Sequence, residues 1–216
     1  VLHRDSLGSS ITISPGDVNL MISGRGITHS ERKPINIKLP YKLFGIQCWI
    51  ALPKSHESMK PEFHNCSKTD IPSIVNKTMI ANIILGSAYG KKSPLKNISN
   101  GLFVELKIRT SSAIELPKEV EEIAVYVLSG QLEYNNQKIQ AGEMLILNNK
   151  SNQLIKAVDN SRCILLGGDT VKEKRYLWWN FVASDMELIE LAKKKWREKN
   201  FKMPIDDNQE FIPLPN

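Results

Sequence analysis

A histidine and a glutamate two residues apart are the side chains in this sequence best suited to metal chemistry. They are His29 and Glu31, in the run Ile27-Thr28-His29-Ser30-Glu31. If this run is extended, side chains two apart share a face, so an imidazole and a carboxylate point the same way. These groups are common ligands of divalent metal ions. The spacing alone is a weak signal, because most His-x-Glu pairs are surface residues.

The residues before this pair predict the turn and strand that would position it. The run Pro15-Gly16-Asp17 is typical of a turn, because Pro fixes φ and Gly accepts a left-handed backbone. Residues 18–22 are rich in apolar side chains and are predicted to form a short strand. Gly24 and Gly26 then mark places where the backbone bends or closely approaches another segment.

Composition and charge indicate an ordinary globular protein. The 216 residues are 41% hydrophobic and 24% charged, and no apolar run approaches the length that spans a membrane. The net charge is +6, but the densest cationic run, residues 193–197, falls in a predicted helix without any nucleic-acid motif. Cys48, Cys66 and Cys163 form no Cys-x-x-Cys, which favours reduced thiols. We therefore predict a cytoplasmic protein without direct nucleic-acid or membrane binding.

An internal repeat predicts two similar β-barrels. Residues 139–147 align without a gap to residues 13–21, and Gly142 corresponds to Gly16. Repetition of many short strands at this separation favours two barrels over a solenoid. The positions that correspond to the metal pair are Ile155 and Ala157, and residues 101–170 contain no histidine. The sequence therefore predicts a metal site in the first barrel only.

Period-two alternation predicts further strands at residues 43–53, 79–86, 102–108, 123–128 and 132–134. Residues 3–8 are predicted to be a polar hairpin connection, and His56 and His64 are predicted to be surface residues in a loop. These positions therefore do not enter the predicted metal site.

The C-terminal part changes to a helical period. A helix is predicted from about Asp185 to Asn200, with Ser184 and Glu187 as its capping box. The aromatic run at residues 178–181 is predicted to anchor this segment on a barrel rather than to stack a ligand. Residues 211–215 are predicted to dock as an extended tail.

Several motifs together closely resemble the pirin family. They are Leu2-His3-Arg4-Asp5-Ser6-Leu7-Gly8, the Pro15-Gly16-Asp17-Val18 turn with Met21, residues 24–31, the segment Cys48-Trp49-Ile50-Ala51-Leu52-Pro53, Gly86 and Gly90 with Ser93-Pro94, residues 178–182, the 192–196 helix and residues 210–215. The resemblance covers essentially the whole chain. It implies an all-β bicupin, two cupin β-barrels face to face, with a C-terminal helix, an extended tail and an incomplete first barrel.

The resemblance also implies a metal site. The family binds one metal, usually iron, through three histidines and a glutamate in the N-terminal barrel, and His29 and Glu31 match the third histidine and the glutamate. The other two ligands form a His-Pro-His segment on an earlier strand, which this sequence does not contain. We therefore expect upstream structure to be missing and Fe(2+), or another divalent metal, to bind weakly through two of four ligands.

Two classes of function follow from the resemblance. Several pirins resemble quercetin 2,3-dioxygenase, which opens a flavonol ring with dioxygen and releases carbon monoxide, and Glu31 would then accept the substrate proton. This activity is expected if the complete N-terminal domain is present. Other members are regulators that bind a transcription factor or an enzyme. A degenerate fragment without metal is the third possibility.

Four segments are expected on this basis. Residues 1–62 would be the remainder of the N-terminal cupin, and residues 63–100 an inter-domain segment with a strand. Residues 101–170 would be the C-terminal cupin, and residues 171–216 the helix and docking tail.

Overall fold

Short antiparallel strands make up most of the ordered backbone. The computed structural model describes residues 1–148 and 153–215. The strands are β1 (Leu2–Asp5), β2 (Ser10–Thr12), β3 (Val18–Ile22), β4 (His29–Arg32), β5 (Glu62–Cys66), β6 (Ser73–Val75), β7 (Met79–Leu85), β8 (Ser87–Ala88), β9 (Lys91–Lys92), β10 (Leu102–Ile108), β11 (Ala113–Glu115), β12 (Glu122–Ser129), β13 (Gln131–Tyr134), β14 (Gln137–Gln140), β15 (Met144–Asn148), β16 (Leu154–Ala157), β17 (Ser161–Gly168), β18 (Tyr176–Trp178) and β19 (Phe181–Ala183). One α-helix, α1 (Met186–Arg197), and 3₁₀ turns at Lys54–His56 and Lys68–Asp70 complete the elements of the described chain. The predicted all-β class with a C-terminal helix is confirmed.

The chain divides into two compact units. The first contains residues 1–65 and 171–216, and the second contains residues 66–170. In the first unit, β2-β1-β4 form a three-stranded sheet, β3 pairs with β5, and β18 pairs with β19. These sheets are small, so the first unit presents open sheet faces rather than a closed barrel.

The second unit contains the principal apolar core. Its strands form a six-stranded sheet in the order β15-β12-β17-β10-β7-β6, a four-stranded sheet in the order β11-β16-β13-β14, and the pair β8-β9. Side chains alternate between buried and accessible positions along β7 and β10. The buried positions of both sheets form one cluster, in which Ile83, Leu106, Leu132, Ile155 and Leu165 are almost completely enclosed. Two packed sheets of this kind are the jelly-roll arrangement that cupins use.

The internal repeat corresponds to the same turn built twice. In the first copy, Ser14 N–H donates to the carboxylate of Asp17 at 2.9 Å, and Asp17 N–H donates to the Ser14 carbonyl at 3.0 Å. In the second copy, Gln140 and Glu143 make the same two bonds, at 2.7 and 3.0 Å. The glycines between them have φ of +94° and +90°. The shared spacing therefore encodes a shared turn.

Residues 43–53 do not form the predicted strand. The segment has no strand assignment, and Leu43, Phe44 and Ile50 remain exposed. Alternating side chains satisfy the sequence pattern, but a strand also needs a neighbour for its backbone groups. No strand within residues 1–148 and 153–215 pairs with this segment.

The helix cap also differs from the prediction. The N-cap is Asp185, whose side chain accepts a 2.9 Å hydrogen bond from Glu187 N–H. Ser184 bonds instead to the carboxylate of Glu57, through its N–H at 2.9 Å and its hydroxyl at 2.6 Å. Asp185 thus caps the helix, and Ser184 fixes the end of the strand before it.

The aromatic run before the helix packs against α1 through the ring of Trp179. The ring of Trp196, on α1, lies 5.4 Å from that of Trp179 and 4.8 Å from that of Phe211, measured between centroids. The Trp196 indole N–H also donates to the Ile212 carbonyl at 2.9 Å. The C-terminal tail is therefore attached to the helix through aromatic packing and one hydrogen bond.

Candidate metal centre

The antiparallel pairing of β1 with β4 brings four potential metal-binding or hydrogen-bonding side chains onto one sheet face. His3 is the register partner of Glu31, and Asp5 is the register partner of His29. Directly opposed residues in an antiparallel pair project to the same side. His29 and Glu31 therefore share a face, as their spacing predicts, and His3 and Asp5 share it with them.

This face looks toward the second small sheet of the unit. The rings of His3 and Phe63, which lies on β5, stack with centroids 4.2 Å apart and planes 7° apart. His3 is 2% exposed and Asp5 is completely buried, whereas His29 and Glu31 are exposed. The expected pair thus lines an accessible face above a buried His–Asp pair, rather than the interior of a closed barrel.

The opposite face of the same strands holds the C-terminal tail. Arg32 follows Glu31 on β4, so its side chain projects from this opposite face. It donates to both carboxylate oxygens of Asp207 at 2.8 Å. Arg4 lies 3.8 Å from the same carboxylate. The Thr28 hydroxyl donates to the Lys202 carbonyl at 2.6 Å. The tail therefore contacts only the opposite face of β4 through these residues and leaves the His29 face accessible.

Glycine allows the chain to enter β4 at the required place. Gly24 has φ of +47°, and a Cβ there would collide with the carbonyl oxygen of Met59. Arg25 N–H donates to this same carbonyl at 3.0 Å. This close approach is what the glycine pattern predicted, and it fixes the turn that leads into the candidate ligands.

Asp5 is held as an ionised carboxylate. Burial by itself would raise its pKa, but hydrogen bonds from Ser9, Leu7 and His3 outweigh burial, and the pKa is lowered. Its Oδ1 accepts from Leu7 N–H at 2.9 Å and from Ser9 N–H at 3.0 Å, while Oδ2 lies 3.4 Å from His3 Nε2. An ionised carboxylate can only accept, so Nε2 of His3 carries a proton.

His29 is poised to act as a neutral ligand. Its residue surface is exposed, yet its ring packs against that of His3, with centroids 5.7 Å apart and planes 23° apart. Desolvation lowers the pKa of His29, against the opposing effect of the Glu31 charge. The imidazole is therefore uncharged at neutral pH, which is the form that binds a metal.

The donor types fit a divalent metal, but the set is small. A neutral imidazole and a carboxylate on one accessible face suit iron and similar ions. Within residues 1–148 and 153–215, no three or more His, Cys, Asp or Glu side chains form a group that could hold a metal ion. His29 and Glu31 would thus supply two ligands, and the remaining positions would be filled by water or substrate.

The other histidines lie elsewhere. His56 is exposed and bonds the neighbouring Ser55 hydroxyl through Nδ1 at 2.9 Å. His64 is not in a loop but on β5, where its Nε2 lies 2.9 Å from the Glu62 carboxylate. Because side chains alternate along a strand, His64 projects away from the face that carries Phe63.

Sequence reasoning missed His3. Residues 3–5 belong to β1 rather than to the polar connection that their composition suggested. A histidine and an aspartate two apart, the same spacing as the His29 pair, are the signal that could have identified it. Polar residues at alternate positions of a short strand indicate a buried polar face when a partner strand carries matching residues.

Comparison with known proteins identifies the family. The fold and the two-unit arrangement define a cupin-type protein. The pirin family matches residues 1–50, and the pirin C-terminal cupin domain matches residues 103–202. A pirin-like protein of Caulobacter vibrioides is 36% identical over all 216 residues, which span 75% of its length. The chain belongs to the pirin family.

Further relatives agree with this assignment. Pirin-1 of Arabidopsis thaliana is 26% identical over 203 residues, which cover 89% of this chain and 68% of that protein. The crystal structure of a quercetin 2,3-dioxygenase from Acinetobacter baumannii superimposes with a TM-score of 0.84 at 28% identity, covering 100% of this chain and 72% of that one. No helix in the described part of the chain combines the length and apolar character needed to cross a membrane.

Proposed function

We propose that this pirin-family protein binds iron, or a similar divalent metal, through His29 and Glu31 and acts on flavonol-type substrates in the manner of a quercetin 2,3-dioxygenase. The observation that carries the proposal is the placement of both side chains on one accessible face of β4. The similarity to the Acinetobacter baumannii quercetin 2,3-dioxygenase supports the reaction class.

Each residue has a defined task in this proposal. His29 supplies a neutral nitrogen, because desolvation lowers its pKa. Glu31 supplies an anionic oxygen and accepts the proton of the flavonol hydroxyl, which must be lost before the ring can react with dioxygen. A bound divalent ion supplies Lewis acidity that lowers the pKa of that hydroxyl. The exposed face gives a flat aromatic substrate access to both residues.

The affinity for metal should be modest in these 216 residues. These residues contain no His-x-His segment, so they would provide two ligands, and water would complete the coordination. Each protein ligand that is replaced by water removes a preorganised contact and lowers affinity. The proposed site therefore needs excess free metal for full occupancy.

The test combines metal analysis with quercetin turnover. The chain is equilibrated with excess Fe(II) without oxygen, and its bound iron is measured at equilibrium by dialysis against a known free Fe(II) concentration. The same iron-equilibrated chain is then assayed for oxygen-dependent loss of quercetin with carbon monoxide release. Iron with turnover that Glu31→Gln abolishes supports the proposal. The matched control is Glu62→Gln, which changes a glutamate of β5 on the face away from Phe63. Iron without turnover favours a non-catalytic regulator, and absence of iron contradicts the metal site.

A further inference from the structure

The buried pair His3 and Asp5 has no task in the proposed reaction, yet it is directly linked to a candidate ligand. His3 is 2% exposed and Asp5 0% exposed, although both are polar and sit beside an open face. Burying such groups is unfavourable unless their partners compensate. The partners of His3 are the Asp5 carboxylate, the Phe63 ring and the ring of His29.

We propose that His3 is a positioning residue that fixes the imidazole of His29. This inference rests on the proposed metal site. The Asp5 carboxylate holds the Nε2 atom of the His3 ring, and the nearly parallel ring of Phe63 packs against one face of that ring. Held in this way, it presents a flat surface at 5.7 Å and 23° to the His29 ring. His29 itself is exposed on its strand, so this contact restricts where its ring can turn.

Asp5 fixes the orientation of His3. Its Oδ1 accepts both backbone N–H groups of the following turn, and its Oδ2 is left for His3 Nε2. The carboxylate therefore selects the tautomer with the proton on Nε2 and defines the plane of the ring. Residues that hydrogen-bond to a metal ligand orient it, and their loss typically reduces metal affinity by about 10- to 100-fold. His3 would orient His29 through ring packing instead.

Two substitutions separate ring packing from ring nitrogens. His3→Phe keeps a flat ring and removes both nitrogens, whereas His3→Leu fills a similar volume without a flat ring. The same two changes at His64, which projects from the opposite face of β5 relative to Phe63, provide the matched controls. Circular dichroism establishes that each variant is folded before it is titrated with Fe(II) in the absence of oxygen.

The expected result is selective loss in one variant. His3→Leu should weaken Fe(II) binding by about 10-fold or more, and His3→Phe should stay within about 3-fold of the original chain, because an outer contact acts through ligand orientation. Equal and unchanged affinity in both variants would overturn the proposal. Equal loss in both would also overturn it, because His3 would then act through its nitrogens as a ligand.

A metal-free measurement keeps the inference separate from the proposed function. In the metal-free protein, the ring protons of His29 should have chemical shifts that differ from those of a mobile, solvent-exposed histidine. In His3→Leu these shifts should move toward the mobile values, and in His3→Phe they should again differ from them. This pattern supports positioning even if no iron binds, and unchanged resonances in His3→Leu refute it.

The role of Asp5 has its own spectroscopic test. Asp5→Asn keeps an oxygen for the Leu7 and Ser9 amides but places an NH₂ group opposite His3 Nε2. An amide NH₂ group donates hydrogen bonds and cannot accept one, so His3 should change from the Nε2–H to the Nδ1–H tautomer, in which Nε2 accepts; ring ¹⁵N chemical shifts report this change. An unchanged tautomer would show that Asp5 does not orient the ring.

Discussion

Removal of the Asp5 carboxylate should destabilise the first unit more than any other single change on the β1–β4 face. In Asp5→Ala, the amides of Leu7 and Ser9 lose an acceptor at 2.9 and 3.0 Å, and His3 Nε2 loses its partner at 3.4 Å. A buried donor without a partner costs about 1–3 kcal/mol. Because water reaches part of this turn, we take the low end for each amide, which gives about 2–3 kcal/mol in total.

Tryptophan fluorescence makes the measurement specific. The four tryptophans, at positions 49, 178, 179 and 196, all belong to the first unit. Urea unfolding followed by fluorescence therefore reports that unit, and the midpoint should fall in Asp5→Ala with little change in slope. Asp5→Asn retains an amide oxygen and should lose only about 1 kcal/mol or less. Equal unfolding midpoints for Asp5→Ala and the original chain would refute the assigned hydrogen bonds.

Three further results are expected. Asp185→Ala should destabilise α1 by about 1 kcal/mol because the Glu187 amide loses its cap, whereas Asp185→Asn should cost far less, and helical circular dichroism during unfolding would decide between them. In the native chain, a thiol reagent should modify Cys48 rapidly and leave Cys66 and Cys163 protected. Of the three thiols only that of Cys48 is exposed, and burial raises the pKa of Cys163 to about 12. Rapid reaction of two or more thiols would contradict the burial. The Arg32 hydrogen bonds hold the pKa of Asp207 well below its usual range. The tail contact should therefore be complete above the unfolded carboxyl pKa of about 4 and should be lost as pH falls below it. A protease sensitivity of the tail that changes neither in acid nor in Asp207→Asn would contradict this.

Local sequence patterns predicted the elements that their own residues determine. The segments at residues 79–85 and 102–108 are strands, as predicted, and buried and accessible positions alternate along both. The repeated turn was predictable because Gly with a following acid satisfies its own backbone groups within four residues. The shared face of His29 and Glu31 follows from strand geometry in the same way.

Structural features that depend on residues far away in the sequence could not be predicted from local sequence patterns. Residues 43–53 alternate like a strand but find no neighbour in the described chain. His3 reads as polar and exposed, and only its pairing with β4 and its contact with Phe63 show that it is buried. Ser184 fits a capping box, but the carboxylate of Glu57, 127 residues away, takes its hydroxyl, and the adjacent aspartate caps the helix.

The central claim is that a metal binds at the His29 and Glu31 face. Its most direct test is calorimetric titration of Fe(II), without oxygen, into the original chain, His29→Ala and Glu31→Ala, with His64→Ala as the control for loss of a half-exposed strand histidine. The account predicts one weakly bound ion in the original chain and in His64→Ala, and no measurable binding in the other two variants. Binding that survives both His29→Ala and Glu31→Ala, or its absence from the original chain, would contradict it.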